Sequence, residues 1–293
     1  MIVLALAYCI ILSFLDASGA DKPESFIDSL RYRLIEDGAD ADLVHALFND
    51  PRFEVLPELF VKNIKQPDAT AGYARFISSQ SVSQAGVFLK QYKPVIENAL
   101  RNFDVEPEIV IAVLQVESSL GKYKGKYPLF NTFASLTVLM SSSLESLAPK
   151  FWNEVLADVK LSEIKTEKKK TLRRMQRKSE WAYKELLELI RISSKTELDP
   201  FQIKGSWAGA FGLPQFLPSS FIAYGRDGDL DGDVNLDEIE DAVASVAYYL
   251  EKNGYSSKEI KKKRKAIWRY NHSEDYVDCI ITLADRVAKY KLK

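Results

Sequence analysis

The sequence predicts a mainly α fold, because apolar residues recur at helical spacing in almost every segment between turn signals. Three observations carry that expectation. Residues 104–136 open with a nearly continuous apolar run, from Ile109 to Val116, too rich in buried-type residues for a surface element. The segments before it are short amphipathic stretches cut by Gly38, Asn49-Asp50-Pro51 and Pro57. The last fifty-five residues contain two more amphipathic helices, 239–252 and one running to Val287.

In order, residues 24–66 read as short helices that carry no chemistry of their own. Residues 72–102 read as two further helices, with Phe76, Ile77, Val87, Phe88, Tyr92, Ile96 and Leu100 as core candidates. The central helix follows, with Asp104 as a candidate N-cap and Pro107 at an early position where no backbone donor is needed. Lys160 to Lys178 holds nine Lys or Arg against two Glu, and a solvated helical face is the first reading of such a run. Contact with an anionic cell-wall polymer or lipid headgroups is the sharper reading, there and at the second basic cluster, Lys258 to Lys265. Ser179 to Ile192 is helical again.

Composition narrows the function class. A 293-residue chain that is 46% hydrophobic can build a large core, which argues against general disorder. Its net charge of −1 gives no global field for nucleic acid, and no nucleic-acid partner is expected. Ile2 to Leu15 form an apolar run of signal-peptide length, followed by Ala17-Ser18-Gly19-Ala20, so residues 1–20 read as an export signal with Asp21 as the new N-terminus. Tyr8 occupies the small-residue slot before Cys9, a poor match to a lipid-attachment site. With Cys9 removed, Cys279 stands alone in an apolar helical pattern and reads as a small core residue. Only His45 and His272 are present, which leaves little room for a His-based zinc site or triad.

Glu117 is the first candidate for chemistry. Ile109, Val113 and Glu117 are spaced i, i+4, i+8, so the carboxylate lies along an apolar face with Val110, Leu114 and Leu120 beside it. A carboxylate stripped of water there has a raised pKa and can donate a proton near neutral pH. The plainer alternatives are a Glu that ends its helix in solvent, or one paired with a distant base. Gly205 to Ser220 is the second candidate. Its three glycines and two alanines permit close backbone approach, and Ser206 and Gln215 beside Trp207 and Phe216 suit a sugar site. Tyr270-Asn271 is either turn chemistry or a hydroxyl and an amide set to grip an N-acetyl group.

The most regular motif is Asp227 to Glu238, a complete twelve-residue EF-hand pattern. It predicts calcium held by Asp227, Asp229, Asp231, the carbonyl of Asp233, Asn235 and a bidentate Glu238, with Gly232 at the sharp turn. A lone loop suits a structural ion better than a sensor.

Together, VESSLG around Glu117, KGSWAGAFGLPQFLPSS, the single acidic loop and YNHSEDYV near the end resemble the membrane-bound B type of lytic murein transglycosylase, in the lysozyme-like superfamily. The resemblance covers roughly residues 25–290. It implies a helical lysozyme-like fold with a glycan groove and an EF-hand in one lobe, so that residues 21–293 form one catalytic domain with a basic insertion at about 143–176. Glu117 matches the catalytic acid, and Ser118, which follows where the superfamily often has Ser or Thr, is expected among the substrate-binding residues. Ser206, Gln215, Tyr249, Tyr270, Asn271 and Tyr276 match substrate-contacting groove positions. Arg177, Lys178 and Trp181 fall where the family has two arginines and a tyrosine near the peptide stems, so Lys replaces a bidentate base and Trp a tyrosine.

The implied activity is non-hydrolytic cleavage of peptidoglycan between N-acetylmuramic acid and N-acetylglucosamine, giving 1,6-anhydro products. The implied setting is the periplasm or cell envelope, with a monomer acting on glycan strands, a structural calcium ion, no organic cofactor and scope for membrane association. The rival readings are a lysozyme-type hydrolase and an inactive calcium-stabilised peptidoglycan-binding protein.

Overall fold

The computed structural model describes residues 23–64, 72–139, 152, 155–157, 159–196 and 198–290. The candidate export signal, residues 65–71, most of 140–158 and the C-terminal three residues lie outside this set. Among the described residues the helices are α1 (Pro23–Glu36), α2 (Ala41–Asn49), α3 (Glu58–Ile64), α4 (Ser79–Gln91), α5 (Lys93–Ala99), α6 (Pro107–Ser118), α7 (Leu129–Leu139), α8 (Ile164–Ser193), α9 (Pro218–Tyr224), α10 (Ile239–Lys252), α11 (Ile260–Tyr270) and α12 (Glu274–Ala288). The mainly α expectation holds, and the breaks fall at the turn signals. The chain divides into two compact units, one from residues 1–66 and 127–203, the other from 67–126 and 204–293.

The first unit is built on α8. Its thirty residues extend about 45 Å at 1.5 Å per residue. One side buries Met175, Ala182, Leu186, Leu189 and Ile190. The other leaves Lys165, Lys169, Lys170, Arg173, Arg174 and Arg177 in solvent, as the bland reading of this charge run expected. Phe48, Phe53, Phe130 and Phe201 form an aromatic cluster with ring centroids 5.0–5.7 Å apart. Asp199 accepts from Arg52 at 2.6 Å and caps the Phe201 N–H at 2.9 Å, which is turn and ion-pair work.

The second unit is wrapped round α6. Val110 to Leu114 are fully buried, among Val243, Val246, Ala247 and Leu250 of α10 and Val277, Ile280 and Leu283 of α12. Cys279 is buried as expected, its Sγ 3.6 Å from the Tyr73 carbonyl, and burial raises its thiol pKa to about 11.

Two sequence expectations fail in this unit. Val87 is 42% exposed, because α4 turns Val82, Ala85 and Gly86 inward and Gly86 lies flat against the Tyr290 ring. Asp104 does not cap α6. Pro107 takes the first helical position and holds the residue before it extended, so Glu106 is the N-cap at ψ 135°. Asp104 instead accepts the Ser257 hydroxyl at 2.6 Å.

Candidate active site

The second unit contains Glu117 and every groove residue expected from the motifs except the three on α8. Glu117 is the penultimate residue of α6. Beyond it Ser119, Leu120 and Gly121 all take left-handed backbone (φ 51°, 59° and 88°), and the Leu120 N–H reaches back to the Leu114 carbonyl at 3.0 Å. Left-handed conformation costs a non-glycine residue about 1 kcal/mol or more, and such strain gathers where a site over-determines the backbone. Gln215 at φ 52° is a third such residue in this site.

The Glu117 carboxyl is held at one oxygen. Tyr276, 1% exposed in the first turn of α12, donates its hydroxyl to Oε1 at 2.7 Å. Among the described residues nothing hydrogen-bonds Oε2. Burial raises the pKa to about 7, and the Tyr276 hydrogen bond offsets only part of that rise. The residue keeps some contact with solvent through its remaining surface. Burial, and then the Glu117 charge, pushes the Tyr276 hydroxyl well above its ordinary range, so it stays a donor throughout.

An aromatic wall continues from Tyr276. Its ring stacks on Tyr270 at 6.4 Å and meets Tyr73 edge-on at 5.8 Å. Tyr270 meets Tyr249 at 4.8 Å, and Tyr249 meets Tyr224 at 4.6 Å and Phe216 at 5.9 Å. The Tyr270 hydroxyl donates to the Pro214 carbonyl at 2.6 Å and that of Tyr249 to the Arg269 carbonyl at 2.7 Å. The expected groove tyrosines are therefore committed to the protein through their hydroxyls and contribute ring surface. Asn271 is exposed, its amide 3.4 Å from the Tyr73 hydroxyl. Sequence reasoning missed Tyr73, whose pKa burial and the Glu117 charge both raise. It follows Gly72 in a five-residue 3-10 helix with no motif to mark it.

Ser118 was expected to meet substrate, but it turns inward. It is 1% exposed, donates to the Leu213 carbonyl at 2.8 Å and accepts the Gly121 N–H at 2.9 Å. It ties the Glu117 loop to the 205–216 segment. A second tie is closer still: a Cβ at Gly125 would lie 1.9 Å from the Gly205 carbonyl carbon, so the two backbones touch. The small-residue signal of the sequence is thus accounted for by backbone approach. Gln215 donates its amide to the carbonyls of Lys124 (3.3 Å) and Gly212 (2.9 Å), and among the described residues its Oε1 has no hydrogen-bond partner. Ser206 accepts from the Ala210 and Ala208 N–H groups at 3.1 and 3.3 Å, leaving its own proton to donate.

The acidic loop 227–238 lies in the same unit. Carboxylate oxygens of Asp229, Asp231 and Glu238 fall within 4.8 Å of one another, as do those of Asp227, Asp229 and Asp241. Asp227 accepts the N–H groups of Leu230 at 2.6 Å and Gly232 at 2.9 Å, which curls the loop round its own side chain. Burial tends to raise the Asp227 pKa, but these donors outweigh it and the group is lowered. Asp241, 1% exposed, was not singled out from the sequence. It accepts the N–H groups of Gly228 (2.7 Å) and Asn235 (2.6 Å) and so holds both limbs of the loop. Leu236 joins the loop to the site, since its carbonyl accepts the Leu213 N–H at 2.9 Å.

Arg177, Lys178 and Trp181 lie on α8 in the first unit. Arg177 is exposed, the Lys178 ammonium donates to Asn63 Oδ1 at 3.0 Å, and Trp181 meets Phe133 at 5.9 Å. Burial, and then the Arg174 charge, lowers the Lys178 pKa.

The second unit thus brings together a buried acid, an aromatic wall and an amide carbonyl without a hydrogen-bond partner among the described residues. The family model described as "Transglycosylase SLT domain" matches residues 22–264. The chain belongs to that family. It is 28% identical over 181 residues to membrane-bound lytic murein transglycosylase B of Escherichia coli K12, a match spanning 62% of this chain and 40% of the relative. Among solved structures, SltB3 from Pseudomonas aeruginosa in complex with NAG-anhNAM-pentapeptide superposes with a TM-score of 0.70 at 18% identity, over 92% of this chain and 80% of that one. The Escherichia coli lytic transglycosylase Slt35 in complex with calcium gives 0.60 at 20% identity, over 94% and 95%. At these identities the structural likeness speaks for the fold, which is that of lytic transglycosylases. Among the described residues no helix is long and apolar enough to cross a membrane.

Proposed function

We propose that this chain is a lytic transglycosylase, cleaving the β-1,4 bond between N-acetylmuramic acid and N-acetylglucosamine in peptidoglycan. The observation that carries the reading is the Glu117 carboxyl, raised by burial to about 7 and held at one oxygen by Tyr276 with the other oxygen free. Such a group is half-protonated near neutral pH and can serve as acid and then as base.

In the first step Glu117 gives its proton to the glycosidic oxygen, and the C1–O bond breaks with the electron pair leaving on N-acetylglucosamine. The carboxylate then takes the proton of the muramoyl C6 hydroxyl, and that oxygen closes on C1 as a 1,6-anhydro ring. No water is consumed, and one carboxyl suffices. This contrasts with the two carboxyl groups of most glycosidases. The tyrosine wall offers apolar faces to sugar rings, while Gln215 Oε1, Asn271 and the Ser206 hydroxyl offer the polar contacts an N-acetyl sugar requires. Arg177, Lys178 and Trp181 are assigned to the carboxylate-bearing peptide stems.

The acidic loop is assigned to a structural calcium ion in EF-hand fashion, with oxygen ligands from Asp227, Asp229, Asp231, Asp233, Asn235 and Glu238. The crowding of carboxylates is the supporting observation: burial, followed by the charges of Asp231, Asp227 and Asp229, raises the Asp233 pKa. Bound there, the ion supplies loop stability and takes no part in the chemistry. Residues 1–20 are assigned to export and the protein to the periplasm or cell envelope, acting as a monomer on glycan strands.

The test is mass spectrometry of muropeptides released from purified peptidoglycan by the chain lacking residues 1–20. Products one water lighter than reducing-end muropeptides are expected. Reducing ends would instead make the protein a lysozyme-like hydrolase, and binding without release would make it a binding protein.

A further inference from the structure

Helix α11 has an outward side that the active site does not use. Ala266 and Ile267 face the core, and Tyr270 enters the aromatic wall. Three of its bases are consumed by the protein: Lys263 pairs with Glu106, Arg264 pairs with Glu274 at 2.7 Å and Asp278 at 2.6 Å, and Lys262 pairs with Glu259 at 2.6 Å.

What remains is a stripe. Lys261, Lys265 and Arg269 recur four residues apart along the helix, Lys258 lies just before its start, and all four are exposed. The Arg269 guanidinium also donates to the Asn253 carbonyl at 3.1 Å. None has a carboxylate within ion-pair distance among the described residues. Trp268 lies on the same stripe, 38% exposed, its ring held edge-on by His272 at 4.2 Å.

The chemistry of this stripe selects its partner. Its side chains only donate: three ammonium groups, one guanidinium and an indole N–H. Sugar hydroxyls need acceptors as well as donors, and the glycan-facing Gln215 and Asn271 provide them, whereas this stripe does not. A donor-only surface fits phosphate oxygens. A half-exposed Trp among lysines adds an amphipathic ring of the kind that settles at headgroup level in a bilayer, a contact that a dissolved phosphate polymer does not reward.

We propose that the outward side of α11 docks this protein on an anionic phospholipid bilayer, independently of the catalytic groups. The lysines would meet lipid phosphates while Trp268 enters the interface. Attachment is electrostatic and reversible, and it falls with salt.

The test is co-sedimentation of the chain from Asp21 onward, which contains every described residue, with vesicles of mixed phosphatidylglycerol and phosphatidylcholine, or of phosphatidylcholine alone. Binding to the mixed vesicles alone is expected, together with a blue shift in tryptophan emission that Trp268→Phe reduces. At about fivefold per lysine, the triple variant Lys258→Gln, Lys261→Gln, Lys265→Gln should bind roughly a hundredfold more weakly. Unchanged circular dichroism would show that the variant is folded. Its cleavage of soluble glycan fragments should equal that of the parent chain, so a failure of cleavage in both would count against the proposed activity and leave the docking result standing. Equal binding by parent and triple variant, or equal binding to both vesicle types, overturns the proposal. So does polyphosphate bound as tightly as the mixed vesicles, which would make the partner a soluble polymer.

Discussion

Glu117 and the acidic loop 227–238 bear the same functional group in the same unit, and the fold treats them in opposite ways. At Glu117 apolar packing surrounds the carboxyl and a single tyrosine hydroxyl reaches it, so the pKa rises to about 7. At Asp227 two backbone N–H groups point at the carboxylate, and its pKa falls despite burial. One environment stores a proton, the other stores negative charge. Glu117 loses far more of its water and meets fewer donors than Asp227, and both differences push the two pKa values apart.

The largest way to break the contrast is Glu117→Gln, which removes the proton store while keeping the shape. Cleavage should fall at least ~10³-fold, within the range for losing an acid–base group, as followed by product release from peptidoglycan. The same variant sharpens the physical account. A carboxyl whose folded pKa lies above the unfolded 4.5 binds more protons folded than unfolded between pH 4.5 and about 7. Stability contributed by its protonation is therefore lost as pH rises through that window. Glu117→Gln escapes the loss, so its unfolding free energy should exceed that of the parent by on the order of 3 kcal/mol at pH 8 and by only a few tenths at pH 4.5. Chemical denaturation at both pH values measures the difference, and a gap independent of pH would contradict the raised pKa.

The loop is broken from the other side by removing its charge. In millimolar calcium the parent chain should gain about 2.7 kcal/mol if the ion is present at a hundred times its Kd, read as a rise in Tm. Asp229→Asn with Asp231→Asn should abolish that calcium response while leaving glycan cleavage measurable.

Tyr276→Phe is a smaller change, at about tenfold in kcat. Its hydroxyl lowers the Glu117 pKa, so its loss should move the alkaline limb of the pH–rate profile upward. A limb that stays in place would mean the hydroxyl serves substrate and not Glu117. The smallest effect belongs to the solvated side of α8, where Lys165→Gln and Lys169→Gln should alter stability by less than ~0.5 kcal/mol in urea titrations.

Much of this was legible in the chain itself. The continuous apolar run of α6 could only be buried, and the spacing of Glu117 along it puts a carboxylate against that core. The alternation of Asp with Gly232 at the turn prescribed a curled acidic loop. Pro107 and the Asn49-Asp50-Pro51 break set helix ends by local stereochemistry, which needs no distant partner. Local rules also erred where two competed, as at Asp104, where the proline two residues beyond Val105 moved the cap to Glu106.

Other assignments depended on residues far apart in sequence. That Tyr276 holds Glu117 across 159 positions, that Tyr73 joins the wall, and that Ser118 turns inward to Leu213 follow from how α6, α12 and the 205–216 segment pack. Asp241 looks like any first-turn acid of a helix until the fold buries it between the two limbs of the loop. Sequence alone determined which residues could carry a charge or a proton. Only the tertiary structure decided which of them lost water and which kept donors, because desolvation and hydrogen bonding depend on neighbours that the linear chain does not reveal.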